Sequence, residues 1–394
     1  MVLAALSAIL SCKKPLMDTM PRWYSRGPRS YMSEPAGEDS SAWNIPGGKG
    51  VYIAAIRFPE WAKWREGDFR GAEAILIKDT VVVAKVQAGP RPEPGRIRIL
   101  DGHLWTSIAD GGTTELFCDG THRLTIPEEE LLKGLLLDSG SIHTLGQRPG
   151  GSGISYRVDG KEVFSSGTGT VTGEMTRDTS GTYFVYGIPI RKGDSATMEY
   201  HIMNGADEIR CVSPTENGTI YDIKVRDGTV YRSEKRGASA SSLCLVVGDT
   251  YHSVNAGADE SVHLCKLTET GGEMTIKGYS VQGNRKWHWI RSREGVMCRV
   301  DTPGVQDFYV DGSAVAFVVN GKDGFVGSIH AGGAQYWIEE KRYRLSSSAC
   351  ADFRGGVFAA ALSDTSGREH RLFLDGQLVP MEFNGYFTEL KIIE

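Results

Sequence analysis

Two pairs of tryptophans are the residues best suited to bind a ligand. Trp287 and Trp289 stand in the segment RKWHWIR, residues 285–291, which is predicted to be a β-strand. Side chains two apart on a strand project from one face, so the two indoles would lie together and His288 would point the other way. Flat indole faces with a flanking cation such as Arg285 suit stacking on a sugar ring or another flat ligand. Packing between neighbouring sheets explains the same pattern, and the sequence favours that alternative.

Trp61 and Trp64 form the second pair, in the stretch FPEWAKWR of residues 58–65. Side chains three apart are neighbours on a helix, so the two indoles would share a face if a helical turn follows Pro59. The pair could then cap one end of the fold and bind a ligand there. Plain packing is again the favoured alternative.

Cys12 is a candidate for covalent lipidation. The first dozen residues, MVLAALSAILSC, form an apolar run that is too short to cross a bilayer, which takes about 20 residues, and is typical of a signal-peptide core. The run ILSC, residues 9–12, resembles a bacterial lipobox, in which the cysteine is diacylated and becomes the mature N-terminus. A buried apolar strand with an ordinary cysteine is the alternative. We therefore predict a signal peptide over residues 1–11 and a lipid anchor at Cys12.

Residues 12–50 are predicted to be a flexible tether between lipid and domain. They are rich in Pro, Ser, Gly and charged residues and have no sustained period of 2 or 3.6. The start SCKKP resembles those of lipoproteins from the Bacteroidota, where an acidic cluster after the cysteine favours display on the cell surface. Since that cluster is missing, the resemblance implies an outer-membrane lipoprotein that faces the periplasm rather than the cell exterior. The membrane is then a partner through the lipid.

Familiar catalytic and metal-binding motifs are not found in the sequence. It has no G-x-S-x-G elbow for a serine nucleophile, no H-E-x-x-H or C-x-x-C for zinc and no D-x-D-x-D-G for calcium. The nine histidines are scattered singly, and adjacent carboxylates such as Glu128 and Glu129 would point to opposite faces of a strand. We predict no metal and no cofactor, and favour a role without catalysis.

Composition restricts the partners and the fold. The formal charge of −5, with basic and acidic residues interspersed, provides no basic surface for nucleic acid. Glycine makes up 49 of 394 residues, which indicates many tight turns. The six cysteines after Cys12 mostly sit at apolar strand positions, so buried free thiols are favoured over disulfides.

The elements that must position these residues are repeated β-hairpins. Apolar strands joined by Asp-Gly or Asn-Gly turns, such as ILDGHLW around Asp101 and RVDGKEV around Asp159, recur in two interleaved series about every 43 residues. Two hairpins in each repeat amount to four antiparallel strands, which is the content of one propeller blade. Stacked blades bury both faces of each sheet, which explains strands that are apolar on both sides.

We therefore predict an all-β fold: one β-propeller over residues 51–394, with seven four-stranded blades. The segment AEAILIKDTVVVAKVQ, residues 72–87, precedes the first complete repeat and is predicted to close the ring by pairing with strands of the last one. A pair of β-sandwich domains is the alternative.

Several hairpins resemble a particular group of proteins. VDGKEV at 158–163 and FLDGQLVP at 373–380 resemble the blades of Bacteroidota lipoprotein β-propellers of unknown function. The resemblance implies a non-catalytic envelope module that binds a glycan or a protein. The alternative is a hydrolase or lyase acting on a polysaccharide or peptide, with residues assembled across blades at a central channel, where no linear motif would reveal them.

Overall fold

The structure is a computed structural model that describes residues 49–60, 69–88, 97–110, 112–151, 153–192, 195–214, 218–237, 243–254, 261–311, 314–321, 324–338, 343–374 and 376–394. In these ranges the chain forms β-strands and two single 3₁₀ turns, at Pro149–Gly151 and Ser348–Cys350. No helix in the described ranges is long and apolar enough to cross a membrane.

The strands follow in chain order. The first eleven are β1 (Gly50–Arg57), β2 (Glu73–Lys78), β3 (Val81–Gln87), β4 (Ile97–Leu100), β5 (His103–Asp110), β6 (Thr113–Cys118), β7 (Thr121–Ile126), β8 (Leu131–Asp138), β9 (Ser141–Gln147), β10 (Ile154–Val158) and β11 (Lys161–Ser166). The next twelve are β12 (Thr170–Asp178), β13 (Gly181–Lys192), β14 (Ser195–Asn204), β15 (Asp207–Val212), β16 (Thr219–Arg226), β17 (Thr229–Lys235), β18 (Leu243–Val247), β19 (Thr250–Ser253), β20 (Ser261–Thr270), β21 (Glu273–Gln282), β22 (Arg285–Ser292) and β23 (Gly295–Val300). The last ten are β24 (Val305–Asp311), β25 (Ala314–Asn320), β26 (Val326–Ala331), β27 (Ala334–Trp337), β28 (Tyr343–Leu345), β29 (Ala351–Arg354), β30 (Val357–Asp364), β31 (Glu369–Leu374), β32 (Gln377–Glu382) and β33 (Gly385–Ile393).

Within the described residues these strands form eight antiparallel sheets. Six contain four consecutive strands each, β4–β7, β8–β11, β12–β15, β16–β19, β20–β23 and β24–β27. In the seventh, β28 and β29 both pair with β30, and β31 and β32 follow, so one strand position is interrupted by a 3₁₀ turn. The eighth has the order β3-β2-β1-β33. The fold is a β-propeller, as predicted, but it has eight blades, and the predicted number of seven is wrong.

The blade that the sequence prediction did not count is the one formed by strands from both ends of the described chain. Its first three strands precede the first Asp-Gly hairpin and its fourth is β33, so no single repeat in the sequence contains it. β33 pairs with β1, from Gly50 opposite Ile393 to Arg57 opposite Gly385. Residues 72–87 belong to this sheet but pair with β1 and with each other. The direct pairing predicted between that segment and the C-terminal strands is therefore replaced by pairing through β1.

The hairpin turns have the backbone that their sequence requires. Asp159 and Gly160 have φ values of 49° and 78°, so both central residues of the turn lie in the left-handed region. Asp101 and Asp119 are also left-handed, at 52° and 51°, and each precedes a glycine. These are the features of the predicted I′ turn, whose twist matches that of the flanking strands.

The described residues divide into two compact units, residues 49–106 with 304–394, and residues 107–303. In the first unit, β1 shows why strands here are apolar on both faces. Val51, Ile53 and Ala55 join one hydrophobic cluster, together with residues of β25 and β30. The alternate residues Tyr52 and Ala54 join a second cluster that includes β4. Each face of the strand is thus covered by a different neighbouring sheet.

In the second unit, neighbouring sheets meet through their first strands. β12 lies beside β8 and β16, and β16 lies beside β20. The strand at the opposite edge of a sheet is termed its outer strand. The outer strands of the eight sheets are β3, β7, β11, β15, β19, β23, β27 and β32.

Candidate functional site

The predicted tryptophan pair on β22 lies in the protein core. Trp287 and Trp289 share a face of the strand, as predicted, but their exposed fractions are 3% and 0%. Both belong to a hydrophobic cluster of the second unit that also contains Leu245 and Ile276. In this structure neither indole face is open to a stacking ligand. Arg285, at the start of β22, is exposed.

The cations beside these indoles contact them from within the same sheet. The guanidinium of Arg291 lies 4.3 Å from the ring centre of Trp289, and that of Arg299 lies 4.6 Å from the ring centre of Trp287. The indole N–H of Trp289 donates a hydrogen bond of 2.7 Å to the hydroxyl of Ser280. Each indole therefore has an arginine of its own sheet against it, Arg291 for Trp289 and Arg299 for Trp287, and these contacts pack the blade.

Three predicted site residues lie outside the described residues. These are Trp61, Trp64 and the candidate lipidation site Cys12. The six later cysteines, all of them described, are free; Cys118, Cys244, Cys265 and Cys350 are buried, Cys298 is half-buried and Cys211 is exposed.

A half-buried carboxylate on a first strand bridges two neighbouring sheets of the second unit. The carboxylate of Asp222 on β16 accepts a hydrogen bond of 2.9 Å from the backbone N–H of Leu267 on β20, and another of 3.0 Å from the N–H of Ile223. A β-bulge at Tyr221, where β16 shifts register against β17, directly precedes the aspartate. Burial raises the pKa of Asp222, and the N–H of Leu267 opposes that rise. This carboxylate acts as an acceptor for one backbone donor of its own strand and one of the next sheet.

The same device recurs in the first unit. Asp352 on β29 accepts a hydrogen bond of 2.9 Å from the N–H of Ile392 on β33. Glu389 on β33 in turn accepts one of 2.7 Å from the N–H of Ile99 on β4. A backbone N–H that loses its hydrogen-bond acceptor costs free energy of folding. These side chains therefore have a structural role, because each accepts a hydrogen bond from a neighbouring sheet. Their partners are amides of the next sheet, which sequence spacing does not reveal.

A second group of carboxylates in the second unit is held by arginines. The side chain of Glu130 is 0% exposed, lies 3.1 Å from the guanidinium of Arg157 and accepts a hydrogen bond of 2.5 Å from Ser155. Glu128 and Glu162 reach the same guanidinium from the solvent side, at 3.5 and 3.1 Å. These carboxylates therefore form a charge-paired cluster rather than a pair poised for acid–base chemistry.

The outer strands are protected against pairing with another strand. Five of the eight contain a β-bulge, where one residue has no partner on the neighbouring strand; the bulged residues are Val83, Arg123, Val163, Ile209 and Met297. Two more, β19 and β27, are only four residues long. The last, β32, contains Pro380, which has no backbone N–H to donate. Bulges, shortness and proline are all means of blocking edge-to-edge association.

Three of the bulges nevertheless present apolar side chains to solvent. Val163, Ile209 and Met297 lie on the outer strands of three sheets of the second unit, and their exposed fractions are 44%, 45% and 50%. Each is the third residue of its strand, just after the hairpin turn. Tyr251, on the outer strand β19 of the same unit, is 40% exposed. A charged residue would protect a strand edge equally well, as Arg123 does on β7, so the choice of apolar side chains calls for another reason.

The first unit has one conspicuous exposed aromatic side chain among its described residues. Trp337, at the end of β27, is 63% exposed. The pattern of paired tryptophans does not indicate Trp337, because no other tryptophan lies two or three residues away from it. Its indole is accessible in a way that Trp287 and Trp289 are not.

A group of metal-ligand side chains lies at the edge of the β12–β15 sheet. Glu199 and His201 on β14 and Cys211 on β15 place their ligand atoms within 4.8 Å of one another. Burial raises the pKa of the Cys211 thiol, and the nearby carboxylates of Glu199 and Glu208 raise it further. Without a cation the sulfur is a protonated thiol at neutral pH, which makes it a poor nucleophile.

Comparison with known proteins adds distant likenesses of fold. No protein-family model matches the chain, and no curated protein sequence does. Among solved structures, BamB from Moraxella catarrhalis aligns over 80% of this chain and 89% of its own, at 12% identity and a TM-score of 0.45. An acylaminoacyl peptidase from Pyrococcus horikoshii aligns over 85% and 53%, at 11% identity and a TM-score of 0.44. The dihydro-heme d1 dehydrogenase NirN aligns over 87% and 75%, at 10% identity and a TM-score of 0.46. Likenesses at this level carry no inference about function, and the fold assignment rests on the eight sheets of the chain itself.

Proposed function

We propose that this protein is a non-catalytic binding module that holds a protein partner on the outer strands of residues 107–303. The observation that carries the proposal is the set of apolar bulge residues Val163, Ile209 and Met297, each about half exposed at the same position of its strand. Burying such side chains against a partner removes apolar surface from water and stabilises the complex.

The bulges also indicate how the partner would bind. A peptide that extends a sheet needs a regular row of free backbone groups along the edge strand. The bulges in β11, β15 and β23 interrupt that row. The partner would therefore contact side chains rather than add a strand.

The carboxylates support a binding role over the alternative of a hydrolase or lyase. Asp222, Asp352 and Glu389 bond to backbone amides of adjacent sheets. Glu130 is paired with Arg157 in the core. Side chains with these structural duties are not available as the general acid and base that glycosidic cleavage requires.

The module would be held in the cell envelope by a lipid on Cys12, with residues 12–50 as the tether. The outer membrane, with the domain facing the periplasm, is the address that fits the lipobox-like ILSC and the lack of an acidic cluster after the cysteine. Labelling cells with a palmitate analogue should mark the wild-type chain and leave a Cys12→Ala variant unmarked. Labelling of that variant would refute the anchor.

The exposed indole of Trp337 supports a second candidate, a glycan ligand. A sugar ring can stack on one face of an accessible tryptophan. Wild type and Trp337→Ala should then differ in binding to a glycan array, whereas Trp289→Phe, at a buried position, should match wild type. Equal glycan binding by wild type and Trp337→Ala would exclude this site.

Site-specific photo-crosslinking in the native host tests the main proposal. A photoreactive phenylalanine placed at Ile209 or Met297 should capture the same protein. Leu264 is the matched control, since it is apolar and 65% exposed but lies on β20, the first strand of its sheet. Capture from Leu264 alone, or no capture from Ile209 and Met297, would contradict the proposal.

A further inference from the structure

One face of the β12–β15 sheet gathers a histidine, a cysteine and a carboxylate from two strands. His201 on β14 is directly opposite Cys211 on β15, and residues opposite each other in an antiparallel pair share a face. Glu199 lies two residues before His201 on the same strand and so projects from the same face. The side chains of Glu199 and His201 are 33% and 14% exposed, and Cys211 is exposed.

A β-bulge brings a second carboxylate to the histidine. Without it, Glu208 and Cys211, three residues apart, would point to opposite faces of β15. The extra residue, Ile209, places Glu208 opposite Met203, on the face that also carries His201. The Oε2 atom of Glu208 then lies 2.7 Å from Nδ1 of His201.

The contact with Glu208 determines which ring nitrogen of His201 can act as a ligand. A carboxylate on Nδ1 holds the proton there and leaves a lone pair on Nε2. Nε2 is shut off from solvent and has no hydrogen-bond partner among the described residues, and Oε1 of Glu199 lies 3.5 Å away from it. The ring is also held flat against Tyr186, with centres 4.8 Å apart and planes at 13°. The free nitrogen is thus oriented towards Glu199.

We propose that Nε2 of His201, Sγ of Cys211 and a carboxylate oxygen of Glu199 bind a zinc ion, with Glu208 as the positioning residue. A ring nitrogen of His201, the Cys211 sulfur and a carboxylate oxygen of Glu199 lie within 4.8 Å of one another. In tetrahedral zinc sites, bonds of about 2.0–2.3 Å place ligand atoms roughly 3.3–3.8 Å apart, so side-chain movements of about 1 Å complete the geometry. On binding, the thiol releases its proton to solvent and the thiolate bonds to the metal.

The donor set selects the ion. Thiolate and imidazole favour zinc over calcium or magnesium, which prefer oxygen ligands. Three protein ligands leave a fourth position for water, and the exposed edge strand gives the ion a path from solvent. Ile209 of the proposed partner surface lies on the same strand, between Glu208 and Cys211, but it supplies no ligand atom, and the zinc test changes none of the side chains proposed to contact the partner.

Metal titration of the full chain, produced without a histidine tag and stripped with chelator, tests the proposal. Zinc should bind and raise the thermal unfolding temperature. Cobalt should give an absorption band from thiolate-to-metal charge transfer. Cys211→Ser and His201→Gln should each weaken zinc binding by more than about 100-fold, and Cys211→Ser should lose the cobalt band.

Two further variants separate a specific site from adventitious binding. Cys298→Ser is the matched control, because Cys298 also lies on an outer strand but faces Ile290, and its affinity and cobalt band should equal those of wild type. Glu208→Gln should weaken zinc binding by about 10- to 100-fold and keep the cobalt band at saturation, which a ligand variant would not. Unchanged zinc binding by Cys211→Ser, or loss of the cobalt band in Cys298→Ser, would overturn the proposal. Wild-type unfolding temperatures of the metal-free variants would show that they fold.

Discussion

Gly146 is expected to tolerate no side chain, because the buried Glu130 occupies the space beside it. A Cβ at position 146 would lie 2.0 Å from Oε2 and 2.7 Å from Cδ of Glu130. The carboxylate would have to move by about 1 Å or more, which disturbs its contacts with Arg157 at 3.1 Å and Ser155 at 2.5 Å. Breaking a buried ion pair costs about 3–5 kcal/mol. Loss of chain entropy in the unfolded state returns about 0.4–1 kcal/mol for glycine to alanine.

Gly146→Ala should therefore lower the free energy of unfolding by about 2–4 kcal/mol. Urea unfolding followed by tryptophan fluorescence measures this change. Gly167→Ala is the matched control, since no atom lies within 4 Å of a Cβ there, and it should change stability by less than about 0.5 kcal/mol. In a Glu130→Ala background, Gly146→Ala should lose most of its effect, because the clashing group is gone. Equal stability of the two glycine variants would refute the packing described for Glu130.

Two further perturbations test the buried polar groups. Burial lowers the pKa of His370 from 6.5 to about 4. As the pH falls, the imidazole of the unfolded chain is protonated before that of the folded chain. The stability that the neutral buried imidazole allows is present above the unfolded pKa and is lost as the pH falls below it. Between about pH 7 and about pH 5 the wild type should lose about 2 kcal/mol more of its unfolding free energy than His370→Gln, because the glutamine side chain does not titrate. Equal losses in the two proteins would contradict the burial of a neutral imidazole. Asp222→Ala leaves the N–H of Leu267 without its acceptor and should reduce the unfolding free energy by about 1–3 kcal/mol. Asp301→Ala is the control, since Asp301 is exposed, and it should change the unfolding free energy by less than about 0.5 kcal/mol. Similar values for the two variants would count against the bridging role of Asp222.

The class of fold could be predicted from the sequence because it depends on local chemistry. Asp159 and Gly160 accept the left-handed backbone of a tight hairpin turn, and apolar residues on both faces of strands such as β1 require cover on both sides. The number of blades could not be predicted in the same way. The eighth blade joins β33 to β1–β3, and a pairing across the length of the chain leaves no repeat in the sequence.

Some features of the site residues depend on local strand geometry, and others depend on contacts with distant parts of the chain. That Trp287 and Trp289 share a face follows from strand alternation alone, but their burial depends on which sheet covers that face. The exposure of Ile209 and the approach of Glu208 to His201 both depend on a β-bulge. The bulge shifts the strand register by one residue, so side chains no longer alternate regularly between the two faces of the sheet, and a prediction from alternation fails there. For the bulge at Val163, a signal is present in the sequence: the Asp-Gly turn of DGKEV is followed by an apolar residue three positions after the glycine.

The central claim is that a protein partner rests on the apolar bulges of residues 107–303, and the most direct measurement is the dissociation constant of the partner captured by crosslinking. The triple variant Val163→Thr, Ile209→Thr, Met297→Thr has a β-branched side chain at each position, which suits a strand, and removes apolar contact area. At roughly 0.5–1 kcal/mol for each side chain, its affinity should fall by about 10- to 100-fold. Leu264→Thr should bind as wild type does. An unchanged affinity in the triple variant, or an equal loss in Leu264→Thr, would contradict the account.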